Sequence, residues 1–143
     1  MIRIRNATPK DIPSCVGLCR IPEFPYLSKL PAPKAKEYLR EIALKGIFLV
    51  AEEKTAIRGM IFGEPMLNSF AWLDGFTVDR KARSKGIGKA LFQSFCNAAK
   101  EKGCRKIYLT APASNRKTLR FYTSQGLERG TTLVDFIVNL KER

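Results

Sequence analysis

The chain has 143 residues, a length that suits one domain with one core over 1–143 and excludes two independent enzyme domains. With 45% hydrophobic and 27% charged residues, 10 Gly and 8 Pro, its composition is that of a soluble globular protein and not of a disordered or low-complexity chain. Lys and Arg total 26 against 13 Asp and Glu, giving a formal charge of +13 with no His; such a field attracts nucleic acid, phosphorylated metabolites and acidic proteins, and disfavours a polyamine unless a local acidic pocket overrides it.

Ile2 and Ile4 alternate with Arg3 and Arg5, the period of a short strand. Thr8, Pro9 and Asp11 then supply an N-cap, a proline at the first helical position and an acid in the first turn, predicting a helix to about Arg20 with Ile12, Cys15, Val16 and Cys19 inward. Pro22, Pro25, Pro31 and Pro33 interrupt a long connection that carries Glu23, Phe24, Tyr26 and Leu27. A second helix is predicted from about Pro33 to Lys45, ending at Gly46. Ile47–Glu53 and Ala56–Gly63 read as a hairpin around Lys54-Thr55, and Phe70–Val78 as a third long strand. Gly88–Lys102 repeats Leu91, Phe95 and Ala98 at helical spacing and stops at Gly103. Cys104–Thr110 is predicted as a strand, Ser114–Gln125 as a helix closed by Gly126, and Leu133–Leu140 as a final strand. This order describes a mixed α/β (α+β) fold whose central sheet is mostly antiparallel, with helices on both faces.

The longest apolar run, Ile47–Ala51, is far below the roughly 20 residues of a membrane span, and Met1–Arg5 has no apolar stretch behind it to act as a secretion signal. The expectation is a cytoplasmic protein with no membrane partner. Cys15, Cys19, Cys96 and Cys104 form no Cys-x-x-Cys pair and no His is present, so buried reduced thiols are expected and no metal centre.

Basic residues gather around one loop. From Asp79 to Lys106 nine of them, Arg80, Lys81, Arg83, Lys85, Lys89, Lys100, Lys102, Arg105 and Lys106, face only two acids, Asp79 and Glu101. Within this stretch Arg83-Ser84-Lys85-Gly86-Ile87-Gly88-Lys89-Ala90 joins a strand to a helix, where glycines and the helix's first N–H groups form an anion site. A nucleoside triphosphatase loop on Gly88-Lys89 would need Gly at 83 and Ser or Thr at 90, where Arg83 and Ala90 stand. A dinucleotide fingerprint would need Gly at 91, where Leu91 stands, and an acid at the end of the next strand.

Arg83-x-x-Gly86-x-Gly88 resembles the Gln/Arg-x-x-Gly-x-Gly/Ala loop of the GNAT superfamily of N-acetyltransferases. The surroundings match as well. Phe76-Thr77-Val78 precedes the loop, an amphipathic helix follows it, and Asn115 to Leu127 resembles the family's Asn-to-Tyr helix, with Leu127 in place of the usual Phe. The resemblance implies an acetyl-CoA-dependent N-acetyltransferase working by direct transfer to a primary amine on a small molecule, peptide or protein. Acetyl-CoA would be held by Phe76, Thr77, Val78, Arg83, Ser84, Lys85, Gly86, Ile87, Gly88, Lys89 and Ala90, with Asn115 on the pantetheine arm. Tyr122 would be the general acid that protonates the leaving thiolate.

Asn115 and Tyr122 are seven residues apart and share a helix face, about 10 Å from one another. Core packing for Tyr122 and a helix cap for Asn115 are the alternative roles. The acceptor must react as a neutral amine, which a lysine side chain with a pKa of about 10.4 seldom is at pH 7. Asp74 resembles the acidic position some family members use to bind or deprotonate the acceptor; Glu64, Asp135 or a water chain are alternatives, and Glu23 is a candidate ammonium partner. A second reading is a basic nucleic-acid- or ribosome-associated module that keeps the fold without activity. Between the two stands an acetyltransferase with an acidic or nucleic-acid-associated macromolecular acceptor. A homodimer is compatible with all three.

Overall fold

The computed structural model describes residues 1–67 and 69–143. They divide into two compact units, Met1–Leu109 and Thr110–Arg143.

The first unit is built on a sheet of five strands in sequential order: β1 (Ile2–Asn6), β2 (Ile47–Glu53), β3 (Ala56–Met66), β4 (Phe70–Val78) and β5 (Lys106–Tyr108). The first four pair antiparallel and β5 joins β4 in parallel. Three helices accompany them, α1 (Ile12–Leu18), α2 (Ala32–Lys45) and α3 (Ile87–Glu101). One core cluster unites Ile12, Cys15, Val16 and Cys19 with Leu39 and Ile42 of α2 and with Phe48, Val50, Met60 and Phe62 of the sheet. Phe62 is its centre, within ring contact of Phe24, Tyr38 and Phe48. Leu91 and Phe95 of α3 are fully buried outside that cluster. β2 is buried on both sides from Ile47 to Ala51, as expected of a strand covered by helices on both faces.

The predicted inner face of α1 is buried at all four positions, although the helix stops at Leu18, two residues early. The prolines after Arg20 do not leave the chain loose: Arg20 donates from Nη1 to the carbonyls of Leu27, Ser28 and Leu30 and ties the connection down. Gly46 ends α2, its N–H donating to Ile42 O at 2.8 Å. All four cysteines are free, with Cys15, Cys19 and Cys104 buried, and burial pushes the Cys15 thiol up to about 12. No helix among the described residues is long and apolar enough to cross a membrane.

Two strand expectations are corrected. β5 spans only Lys106–Tyr108, not Cys104–Thr110, because its ladder with β4 covers just Phe70 to Trp72. In the second unit, Leu133–Leu140 carries no strand; the unit consists of α4 (Arg116–Ser124), chain without regular structure and a 3-10 turn at Leu140–Glu142. The segment is rich in Leu, Val, Ile and Phe, but a strand exists only through a ladder partner, and this unit contains no other strand.

The N-terminal strand is fastened to the start of α1 by charge. Asp11, 6% exposed, accepts from Arg5 at 2.7 and 2.9 Å and from Thr8 N at 2.7 Å, while Arg5 also donates to Glu52 at 2.8 Å. The Arg5 bond, more than any other contact, lowers the Asp11 carboxyl from 3.8 to about 2. A folded-state value below the unfolded one stabilises the protein above the unfolded pKa and is lost as pH falls from about 4 towards 2, by about 2 kcal/mol. Asp11→Ala removes this and leaves Arg5 with Glu52 as its one ion-pair partner, an expected loss of about 2 kcal/mol in urea unfolding at pH 7. The difference from wild type should shrink at pH 2.

Candidate active site

Asp79 closes β4 and caps the following turn, its Oδ1 accepting from Lys81 N at 3.2 Å. Arg83 then reaches back, donating from Nε to Val78 O at 3.1 Å. The loop is thereby clamped to the strand end, so Arg83 has a structural task in addition to its exposed charge. Ser84 (φ 67°) and Gly86 (φ 80°) both take left-handed backbone, and Gly86 is the N-cap of α3. A Cβ built on Gly86 meets nothing within 4 Å. The first intrahelical bond is Ala90 N to Gly86 O at 3.1 Å, so the N–H groups of Ile87, Gly88 and Lys89 precede the helical ladder. Lys85 and Lys89 are exposed beside them. This is a concave set of backbone donors with positive charge, suited to a pyrophosphate. Ile87 and Thr77 are buried, so at those two positions only the backbone is available to a ligand. Phe76 stacks on Phe92, centroids 6.4 Å apart.

The strand leading into this loop is irregular in a useful way. In the β3–β4 ladder Phe62 faces Gly75 and Gly63 faces Leu73, leaving Asp74 as the extra residue of a bulge. The bulge closes tightly because the Phe62 ring lies over Gly75, where any side chain would collide with it. On its other side β4 pairs with β5 only from Phe70 to Trp72, and the parallel ladder stops before the bulge. The bulge at Asp74 therefore lies just past the end of the β4–β5 ladder.

Asp74 Oδ2 is buried without a hydrogen-bond partner. Burial first, and then the Glu64 carboxylate, raise the Asp74 carboxyl from 3.8 to about 6. Tyr38 on α2 feels both acids, and burial above all pushes its phenol up to about 12. Glu64 lies opposite Trp72 in the ladder, and Glu64, Met66, Phe70 and Trp72 line a cavity of about 250 Å³. A second cavity, of about 180 Å³, is lined by Tyr26, Leu30, Lys34, Glu37, Tyr38 and Glu41. Of the aromatic and aliphatic residues in the first connection, Phe24 and Leu27 belong to the core and Tyr26 remains 68% exposed. Neither Tyr38 nor Trp72 is marked by a motif; the only sequence signal for Trp72 is its place two residues before Asp74 on an alternating strand.

In the second unit Asn115 is the N-cap of α4, its Oδ1 accepting from Thr118 N at 3.2 Å. The capping role is thus realised, leaving the amide N–H groups for other partners. Tyr122 stands two turns on, edge-to-face with Phe121 at 5.5 Å, and burial pushes its phenol up to about 12. It keeps its proton across the neutral range. Asp135 is exposed in the same unit. Among the described residues, no group of three or more His, Cys, Asp and Glu side chains is placed to hold a metal.

The model of the acetyltransferase (GNAT) family matches residues 17–127. The chain belongs to this family. It is 37% identical over 54 residues to glucosamine 6-phosphate N-acetyltransferase of Trypanosoma brucei brucei, covering 38% of this chain and 35% of that protein. It is 29% identical over 68 residues to spermine/spermidine N(1)-acetyltransferase of Bacillus subtilis (strain 168), covering 47% of this chain and 45% of that one. The chain thus spans about a third to under half the length of the curated relatives it matches. Among solved structures, AAC(6')-Iy bound to the bisubstrate analogue CoA-S-monomethyl-acetylneamine superposes with a TM-score of 0.84 at 17% identity, covering 97% of this chain and 99% of that one. The GNAT acetyltransferase fold is shared.

Proposed function

We propose that the protein transfers the acetyl group of acetyl-CoA directly to a primary amine, and that residues 1–143 act as one catalytic domain. The observation that carries this reading is the Arg83–Ala90 loop, a clamped set of backbone donors at the N-terminus of α3, together with the bulge at Asp74 just past the end of the β4–β5 ladder. The family match runs through both units, which supports their acting together. The named acceptors of the relatives, glucosamine 6-phosphate, spermine and spermidine, are amines.

In this reading Gly86, Gly88, Lys89 and Ala90 offer main-chain contacts and Arg83, Ser84, Lys85 and Lys89 offer side-chain contacts to the pyrophosphate. The edge of β4 around Phe76, Thr77 and Val78, beyond its ladder with β5, offers main-chain groups to the amides of the pantetheine arm, and Asn115 contributes its amide. Asp74 binds the acceptor ammonium and takes one proton from it, so that the neutral amine attacks the thioester carbonyl; the nitrogen gives up its second proton to water as the tetrahedral intermediate collapses to the amide. Tyr122 gives a proton to the sulfur as the C–S bond breaks. The balance is an ammonium and a thioester giving an amide, a thiol and one proton.

Acetyl-CoA should raise the thermal midpoint of the purified protein in a concentration-dependent way, by about 2.7 kcal/mol of added stability at a hundredfold excess over Kd. ATP and NAD should do much less. An equal response to all three would reduce the loop to a general anion site. Gly88→Leu should abolish the acetyl-CoA response while the unliganded midpoint stays near wild type, because position 88 has ordinary helical backbone.

The charge of +13 supports a second reading, a nucleic-acid- or ribosome-associated module. Binding to duplex or single strands that persists at physiological salt with a steep salt slope would favour it. Binding confined to low salt would leave only generic attraction.

A further inference from the structure

The ion pairs among the described residues engage Asp11, Glu37, Glu41, Glu52, Glu53 and Asp79. Glu64 and Asp74 take part in none of them, although cations outnumber acids 26 to 13. Lys45 senses the Glu64 charge, yet its ammonium is bonded to Glu41 at 2.8 Å. Asp74 has the Glu64 carboxyl as its neighbour and no cation, and a fold with so many lysines could have placed one there. Their surroundings are those of a cation site. Trp72 lies directly opposite Glu64, Phe70 is two residues before it, and both line the Glu64 cavity. Tyr108 stacks on Trp72 at 6.5 Å and meets Phe70 edge-on at 5.1 Å, holding the two rings. A carboxylate facing the indole of a tryptophan is a pair that recognises ammonium groups.

Resting on the acetyltransferase reading, we propose that Glu64, with Trp72 and Phe70, forms a subsite for a second positive charge on the acceptor, so that the preferred acceptors are amines carrying two cations. The amine to be acetylated meets Asp74 at the bulge. Trp72, the cross-strand partner of Glu64, stands two positions before Asp74, a step of about 7 Å at most on a strand, so the two acids lie within the reach of a short diamine or a diamino sugar. The local pair of acids thus overrides the general positive field that would otherwise repel such a substrate. An amine bearing a phosphate should be a poor acceptor, because its anion would face Glu64.

The experiment compares kcat/KM for 1,4-diaminobutane, n-butylamine and glucosamine 6-phosphate, with free thiol as readout, in wild type and Glu64→Gln. Two equivalent amines account for a factor of two. A diamine preference of tenfold or more over butylamine, expressed mainly in KM, that collapses to about twofold in Glu64→Gln supports the subsite. A preference below tenfold in wild type, its persistence in Glu64→Gln, or glucosamine 6-phosphate as the best acceptor overturns it while leaving the acetyltransferase reading intact. If no amine releases thiol, both readings fall together.

Discussion

Tyr122→Phe lowers turnover on the best acceptor by about a hundredfold or more, the usual worth of a positioned general acid. The substitution keeps the ring, and with it the contact to Phe121, and deletes only the hydroxyl. Acetyl-CoA affinity should change little, since ground-state binding does not use the proton, so the loss belongs in kcat and not in the thermal shift. Burial keeps the phenol protonated to about 12, so the alkaline limb of the wild-type rate profile is not set by Tyr122 in the neutral range. Turnover within twofold of wild type, below about 0.5 kcal/mol of barrier, would make Tyr122 a packing residue.

Asp74→Asn is the second large effect. With its carboxyl raised to about 6, Asp74 is mostly ionised at pH 7 and becomes protonated as pH falls through 6. Wild-type kcat/KM should therefore fall on the acid side with an apparent pKa near 6, and Asp74→Asn should lose about a hundredfold at pH 8 and show no such limb. Stability moves the other way. A carboxyl whose folded-state pKa exceeds its unfolded value penalises the fold where it is ionised, fully above pH 6 and progressively less from 6 towards 4. The asparagine variant should therefore melt higher than wild type at pH 8, with the gain shrinking near pH 4. An acid limb that persists in the variant would assign the base to another group.

Much of the frame is legible because periodicity and punctuation agree. The bounds of β2 and β4 follow from runs of Ile, Val and Phe, and Gly46 ends α2 as read, while Thr8 opens a 3-10 turn, Pro9–Asp11, that leads into α1. The glycine loop is legible because Gly86 needs a left-handed backbone and the residues after it begin an amphipathic helix. The bulge is not legible. Nothing in Leu73-Asp74-Gly75 announces which residue is extra; the register is decided by where Phe62 seats against Gly75 and by how far β5 runs beside β4. For the same reason Glu64 gains its meaning only from a cross-strand partner, Trp72, eight positions away. Leu133–Leu140 shows the converse, an apolar run that suggests a strand where the second unit provides no ladder.

The most direct test is acetyl-CoA turnover by the purified protein against a panel of small amines, peptides and aminoglycosides, following free thiol and identifying the acetylated product by mass. The account predicts thiol release that depends on the amine, saturates in both substrates, and yields an acceptor heavier by one acetyl group. Acetyl-CoA that raises the thermal midpoint yet is never consumed with any amine, or is hydrolysed at a rate the amine does not change, would contradict it.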